Sequence, residues 1–163
     1  MAVRSYEERD RDAVIRLFRD FMREMGDFPE YVQRAIAEEL GRIAEYYAGG
    51  AFWVAEADGA IVGMVGIERH SERAAELRRM IVHGAHRRRG VGRALLATAE
   101  SFCRDAGYVS IVLNTSELQQ PAMRLYESSG YRRTRTAKPE GTTHKMVGGL
   151  TRHYYEKKLD GGK

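Results

Sequence analysis

One stretch of the sequence combines the residue types that bind phosphate groups: glycines, arginines and the start of a helix. It runs from Val82 to Leu96 and reads VHGAHRRRGVGRALL. The first turn of a helix carries unpaired backbone N–H groups and the positive end of the helix dipole, so it attracts anions. Gly90 and Gly92 have no Cβ that would keep an anion away from the backbone. Four arginines would add charge-assisted contacts: Arg87, Arg88, Arg89 and Arg93.

This segment lacks the marks of two other phosphate-binding loops. A nucleoside-triphosphate loop ends in Lys-Ser/Thr, which is absent, and the dinucleotide fingerprint needs a third glycine where the chain has Ala94–Leu96. The pattern alone leaves open a strand-to-helix turn without a ligand and a solvated basic surface. A nucleic-acid partner is not expected, because no binding motif and no interleaved aromatic residues accompany the arginines.

The spacing Arg87-x-x-Gly90-x-Gly92 resembles the Arg/Gln-x-x-Gly-x-Gly/Ala signature of the GNAT N-acetyltransferase superfamily. Two more segments resemble that family: 76–82 is similar to its central strand and 122–131 to its late helix. The resemblance implies a GNAT-like acyl-CoA N-acyltransferase fold. It also implies an enzyme that moves an acetyl group from acetyl-CoA to a primary amine, by direct transfer in a ternary complex.

A closer similarity points to the camello-like branch of this superfamily. Phe52–Glu56, Leu118-Gln119-Gln120 and the spacing to Tyr126 carry it. That branch includes vertebrate enzymes that acetylate cysteine conjugates and aspartate. Its members have a hydrophobic membrane segment near the N-terminus, whereas no apolar run here approaches the roughly 20 residues that cross a bilayer. The expectation is a cytoplasmic protein with no membrane partner.

The transfer needs a neutral amine and a leaving thiolate that is stabilised. Lysine-like amines have a pKa of about 10.4, so at neutral pH most of the acceptor arrives protonated and a base is useful. By resemblance, Glu76 is the expected base; its alternative role is a surface carboxylate paired with Arg78 or Arg79. By resemblance, Tyr126 is the general acid for the thiolate; its alternative role is a core aromatic beside Leu125.

The resemblance also implies which residues contact acetyl-CoA. Met80–Val82 would pair with its pantetheine like an added strand, and the backbone N–H of Val82 or a neighbour would meet the carbonyl oxygen. Asn114 stands where several relatives have a glutamate, so it cannot be a base there but can orient a water or the acceptor. Gln119 stands where relatives commonly have a cofactor-binding asparagine. The expected cofactor-binding residues are Met80, Ile81, Val82, Arg87, Arg88, Arg89, Gly90, Val91, Gly92, Arg93, Asn114, Gln119 and Tyr126.

The periodicity of apolar residues predicts an α/β fold in the order β-α-α-β-β-β-α-β-α-β-β, a central mixed sheet flanked by helices. One domain is expected over residues 1–159, with a flexible tail at 160–163. The predicted strands are Val3–Tyr6, Phe52–Glu56, Ile61–Ile67, Glu76–Val82, Val109–Leu113, Tyr131–Thr136 and Leu150–Leu159. The predicted helices are one that ends near Gly26, one over Ile36–Tyr47, one over Leu95–Ala106 and one over Ala122–Ser129.

The composition fits such an enzyme: 163 residues, 43% of them hydrophobic, suit one soluble globular domain. One cysteine and five histidines without ligand spacing predict no metal site. The expected acceptor is a small-molecule amine such as an amino acid or conjugate, whose carboxylate Arg78 or Arg79 would hold. A protein lysine or N-terminal acetyltransferase, which needs an open groove beside Thr136–Gly149, and a non-catalytic acetyl-CoA-binding regulator remain alternatives. Pairing of strand edges would allow a homodimer.

Overall fold

A computed structural model describes residues 1–159, so the predicted flexible tail lies outside the described residues. Seven strands form one sheet in the order β1-β2-β3-β4-β5-β7-β6. The strands are β1 (Ala2–Ser5), β2 (Ala51–Ala57), β3 (Ala60–Arg69), β4 (Ala74–Val82), β5 (Ser110–Ser116), β6 (Arg132–Ala137) and β7 (Arg152–Lys158). Only β4 and β5 run parallel, which confirms the predicted mixed sheet.

Helices cover both faces of this sheet and make two separate cores. The helices are α1 (Arg11–Met25), α2 (Pro29–Glu38), α3 (Ile43–Tyr46), α4 (Val91–Asp105) and α5 (Gln120–Ser128). The alternation of β2 shows how both faces are buried: Phe52 and Val54 join the core of α1–α3, whereas Trp53 joins the core of α4 and α5. In β4, Ala75 and Leu77 face the core that contains Tyr126, so Glu76 between them points to the opposite face of the sheet.

The predicted second helix is wrong in its continuity. The chain leaves the helix at Glu39, whose φ of −139° and ψ of −66° are not helical, and a short 3-10 turn over Leu40–Arg42 precedes α3. Glu39 is completely buried and pairs with two arginines of β4, which fixes its backbone outside the helix. Leu40 and Ile43 still reach the core. The apolar spacing therefore continues across the break, and the spacing alone does not indicate that the helix ends there.

Strands β4 and β5 separate after three paired positions, and this opening positions the site. The last pair is Glu76 with Val112, beyond which β4 bonds only to β3. A bulge follows in β4, where the single residue Val65 faces both Arg79 and Met80. Arg79 takes a φ of +59°, a strained value for a residue with a side chain. The rest of β4 presents an open edge.

Candidate functional site

Two cavities adjoin at the opening between β4 and β5. The loop cavity lies beside the loop at Gly84–Gly90 and the starts of α4 and α5, with a volume of about 880 Å³. The Glu76 cavity lies on the other side of this opening, beneath α1, with a volume of about 100 Å³. Four residues line both cavities: Phe21, Met25, Met80 and Gln119. A molecule in one cavity would therefore touch a molecule in the other.

The start of α4 faces the loop cavity with its backbone. Gly90 precedes α4 with a φ of +83°, a conformation that favours glycine, and no side chain of residues 1–159 caps the first N–H groups. A Cβ on Gly92 would stand 3.0 Å from the Leu125 side chain of α5. Gly92 therefore lets α5 pack close to α4, besides keeping the cavity open.

The predicted arginines divide into three groups. Arg88 and Arg93 line the loop cavity, whereas Arg89 is exposed and lies outside it. Arg87 lines the cavity, but its Nε donates to the Val82 carbonyl at 3.1 Å and its Nη2 pairs with Glu24 of α1 at 2.8 Å. The predicted phosphate contact of Arg87 therefore competes with bonds that already hold the loop.

Arg124 also lines the loop cavity, and sequence reasoning missed it. It lies on α5 one helical turn after Pro121 and one residue before Leu125, both of which line the same cavity. The helical spacing of α5 was the available signal, because residues three and four apart share a face. The loop cavity thus receives positive charge from two elements, the arginine-rich loop and α5.

The β4 residues predicted to bind the cofactor reach different cavities. Met80 lines both, Ile81 lines the Glu76 cavity and Val82 lines the loop cavity. The N–H of His83 donates to β3 at 2.8 Å, and alternation along a strand turns the Val82 N–H towards the open edge. The Val91 side chain lies in the core, so Val91 can offer a ligand only its backbone N–H at the start of α4.

Glu76 lines its cavity beside a lysine. Its Oε1 stands 3.5 Å from the Lys145 Nζ, and its side chain is 13% exposed. The alternative prediction that Glu76 pairs with Arg78 or Arg79 is wrong. Both arginines are buried and bind Glu39 instead, at 3.0 Å from Arg78 Nη2 and 2.8 Å from Arg79 Nη2.

These two arginines and Glu39 form a buried ionic network behind the Glu76 cavity. Arg78 also pairs with Glu68 at 2.8 Å, and Arg79 donates to the His144 carbonyl at 2.6 Å. Burial acts to raise the pKa of Glu39, but the two arginines outweigh it and lower that pKa to about 2. Because protein groups already bind both guanidinium groups, the expectation that either holds an acceptor's carboxylate is not supported.

A different arginine, Arg152 of β7, lines the Glu76 cavity together with Asn114. The Arg152 Nε donates to the Asn114 Oδ1 at 2.9 Å. Burial lowers the pKa of Arg152. Sequence reasoning missed this residue because nothing local marks it: the pairing of β5 with β7 alone places Arg152 opposite Ser116, two residues beyond Asn114. Gln119 accepts a hydrogen bond from Thr115 Oγ1 at 2.6 Å between the two cavities.

Tyr126 lines neither cavity in this structure. Its ring is 4% exposed and packs beside Tyr131 and Tyr155, with ring centroids 5.8 and 6.1 Å away. Burial raises the pKa of its hydroxyl, which forms no hydrogen bond with any of residues 1–159. The ring therefore acts as a core aromatic, and the general-acid role of the hydroxyl stays a prediction.

The connection between β6 and β7 covers the Glu76 cavity. The Thr142 carbonyl accepts from Arg34 Nη1 of α2 at 2.7 Å, and the His144 ring meets the Tyr46 hydroxyl at 3.0 Å. Four of its residues line the cavity: Lys145, Met146, Val147 and Leu150. Sequence reasoning found no motif here, because a cover made of loop residues has no periodic signature.

Comparison with known proteins identifies relatives among acetyltransferases. The model of the "Acetyltransferase (GNAT) family" matches residues 11–131. Human "N-acetyltransferase 8" is 36% identical over 113 residues, which are 64% of this chain and 50% of that protein. "Probable N-acetyltransferase family 8 member 5" of Mus musculus is 38% identical over 66% of this chain and 50% of its own length. The chain spans about half the length of these relatives.

Solved structures share the fold over nearly the whole chain. An acetyltransferase of the GNAT family from Staphylococcus aureus superposes with a TM-score of 0.82 at 20% identity, over 98% of this chain and 99% of that chain. An aminoglycoside 6'-N-acetyltransferase complexed with coenzyme A gives 0.77 at 17% identity, over 98% and 97%. Within residues 1–159, no helix is long and apolar enough to cross a membrane.

The family match and the relatives agree with the resemblance seen in the sequence. The relatives named N-acetyltransferase 8 fit the predicted similarity to the camello-like branch. The matched residues include the arginine-glycine loop, the open edge of β4 and the four strands β2 to β5. The chain belongs to the acetyltransferase (GNAT) family.

Proposed function

We propose that this protein is an acetyl-CoA-dependent N-acetyltransferase that acetylates the primary amine of a small molecule such as an amino acid or conjugate. The observation that carries this proposal is the meeting of two unlike cavities at Met80 and Gln119. One cavity is large and basic, which suits a phosphorylated donor. The other is small and contains a carboxylate, Glu76, which suits an amine.

The loop cavity fits coenzyme A, which supplies the acetyl group as a thioester. The free N–H groups of α4 and the arginines 88, 93 and 124 would hold its phosphates. The open edge of β4 offers backbone groups to an extended chain, in the way that a sheet edge accepts a peptide. The N–H of Val82 points to this opening, where a donor to the acetyl carbonyl oxygen is needed.

Glu76 would accept the proton of the acceptor's ammonium group, directly or through a water. The neutral nitrogen then attacks the acetyl carbon, an amide bond forms as the nitrogen gives up its second proton to water, and the carbon–sulfur bond breaks. The sulfur leaves as a thiolate, which Tyr126 would stabilise by donating a hydrogen bond. Full proton donation by Tyr126 is disfavoured, because its pKa is raised further above that of a thiol.

The covered cavity favours a small acceptor over a protein. A lysine or an N-terminus of a protein would need an open groove beside the connection between β6 and β7. That connection is tied to α2 by Arg34 and to β4 by Arg79. It would have to leave these partners before a polypeptide could enter.

The proposal is tested by measuring thiol release from acetyl-CoA with amino acids, their conjugates, polyamines and peptides. Glu76→Gln is compared with Glu72→Gln, which changes an exposed carboxylate outside both cavities. We expect turnover with a small amine, reduced about 100-fold at pH 7 by Glu76→Gln alone and less at higher pH, where the amine loses its proton unaided. Preference for peptides would show a protein acceptor. Binding of acetyl-CoA without turnover of any amine would favour the regulator.

A further inference from the structure

Arg152 differs from the other cations of the Glu76 cavity in having no acidic partner. Arg78 and Arg79 bind Glu39, and Arg78 also binds Glu68. Lys145 stands 3.6 Å from Glu68 and 3.5 Å from Glu76. Among residues 1–159, Arg152 makes one side-chain hydrogen bond, to an amide oxygen, and no ion pair.

The charges around the cavity therefore do not balance. Four cationic side chains line it, and three carboxylates compensate them: Glu76 within the lining, and Glu39 and Glu68 behind it. One positive charge remains, and it belongs to the group that lacks an acidic partner. An uncompensated guanidinium in a partly desolvated site gains most from an anion that binds there.

Asn114 orients this charge without neutralising it. Its Oδ1 accepts from the Arg152 Nε, so the two terminal nitrogens of the guanidinium stay available as a fork. An aspartate at this position would form an ion pair and cancel the charge. The neutral amide at position 114, which rules out a base there, thus leaves the arginine ready for an anionic ligand.

Glu76 of β4 and Arg152 of β7 face the same cavity from the two sides of β5. Glu76 pairs with Val112, which precedes Asn114 by two residues on the same face of β5, a distance of about 7 Å along the strand. Because both residues line one cavity, a molecule bound in it can place its amine near Glu76 and its anionic group near Arg152. Phenylalanine and methionine side chains of α1 complete the wall beside them: Phe18, Phe21, Met22 and Met25.

We propose that Arg152 binds the carboxylate of the acceptor, and that Asn114 is the positioning residue that aims its guanidinium. This inference rests on the proposed acetyltransferase activity and refines it: the acceptor carries a carboxylate a few bonds from its amine. The terminal nitrogens of Arg152 make the two hydrogen bonds to that carboxylate. Arg152 thereby selects amino acids against amines that lack the acid group.

The test compares leucine with leucinamide and phenylalanine with phenylalaninamide, in the wild type, Arg152→Ala, Arg152→Lys and Asn114→Asp. The wild type should prefer each acid. Arg152→Ala should lower kcat/KM for the acids by about 10-fold to 100-fold, through KM, and leave the amides within about 3-fold. Asn114→Asp should lower the ratio of kcat/KM for each acid to that for its amide by a similar factor. For the acids, kcat/KM of Arg152→Lys should lie between that of the wild type and that of Arg152→Ala. Arg132→Ala, which removes an exposed arginine of β6, should change neither.

Three outcomes would overturn the inference. They are wild-type preference for the amides, equal losses for acids and amides in Arg152→Ala, and turnover confined to amines without a carboxylate. In each of these the protein still acetylates an amine, so the proposed function stands. If no amine at all is acetylated, the proposed function itself fails. Asn114→Asp replaces an amide by a carboxylate of the same shape, so a loss of activity in this variant is not explained by misfolding.

Discussion

Single residues in this protein have different roles according to whether their polar groups are already paired. Arg79 is satisfied by Glu39 and the His144 carbonyl, so it supports the wall of the cavity. Glu76 has only a 3.5 Å contact with Lys145, and the Tyr126 hydroxyl has no hydrogen bond among residues 1–159. Groups with spare bonding capacity are the ones that can exchange protons or hydrogen bonds with a ligand.

The unpaired hydroxyl gives a prediction for two neighbouring tyrosines. Tyr126→Phe removes no hydrogen bond, so the free energy of unfolding should stay within about 0.5 kcal/mol, whereas turnover should fall about 10-fold or more. Tyr131→Phe removes the bond to Glu100 at 2.9 Å and should cost about 1–3 kcal/mol without changing turnover of the folded enzyme. Denaturant unfolding and steady-state kinetics measure both. Unchanged turnover in Tyr126→Phe would assign Tyr126 to the core alone.

The residues that sequence alone identified are those with local signals. Gly90 and Gly92 follow a strand and open a helix, and that order is visible in the chain. Arg152 and Lys145 lie 76 and 69 residues after Glu76, and only the pairing of β5 with β7 and the fold of the connection bring them near it. Residues placed by long-range pairing leave no pattern in their own neighbourhood.

Helices and strands, like single residues, were predictable where their cause is local and not predictable where it is a long-range contact. The hairpin of β2 and β3 turns at Asp58-Gly59, both with positive φ, and this dipeptide is by itself a strong local hairpin signal. The break after α2 was not predictable, because it depends on a carboxylate that pairs with β4 across about 40 residues of chain. The buried network therefore shapes two elements at once, the end of α2 and the bulge of β4.

The low pKa of Glu39 predicts how stability depends on pH. Since the folded pKa is about 2 against an ordinary 4.5, the stabilisation is fully present above pH 4.5 and is lost as pH falls towards 2. The shift corresponds to about 3 kcal/mol. Glu39→Gln should lower the free energy of unfolding by a similar amount at pH 7, and the difference from the wild type should shrink below pH 4.5.

The matched control for Glu39→Gln is Glu38→Gln, one residue earlier and exposed, whose contacts with Arg34 at 3.2 Å and with His144 Nδ1 at 3.4 Å each contribute less than about 1 kcal/mol. Denaturant unfolding between pH 2 and 7 measures both variants. A difference between the wild type and Glu39→Gln that stays constant over this range would show that the effect of the substitution is packing and not charge.

At the scale of the whole molecule, the sheet lies between the loop cavity, which is the proposed donor site, and the Glu76 cavity, which is the proposed acceptor site. The arginine-rich loop, α4 and α5 contribute to the loop cavity, whereas the connection between β6 and β7 covers the Glu76 cavity. Within residues 1–159, the two cavities share lining residues where β4 and β5 part. A homodimer stays a prediction; β6 is an edge strand with three exposed arginines, which disfavours pairing of that edge with its own copy.

If this arrangement is the site of transfer, binding of the acetyl donor should change the hydrogen exchange of backbone amides at the open edge of β4. Among residues 1–159, the N–H of Val82 has no strand partner on the side that faces away from β3, so we expect its hydrogen to exchange readily in the free protein. An extended pantetheine bound there would accept a hydrogen bond and slow its exchange at least about tenfold, as resolved by NMR on adding acetyl-CoA. Val54 of β2 is bonded between β1 and β3 and should not change. If acetyl-CoA protects the first amides of α4 but not Val82, the loop binds the phosphates while the reactive end lies elsewhere, and the meeting of the two cavities is not the site of transfer.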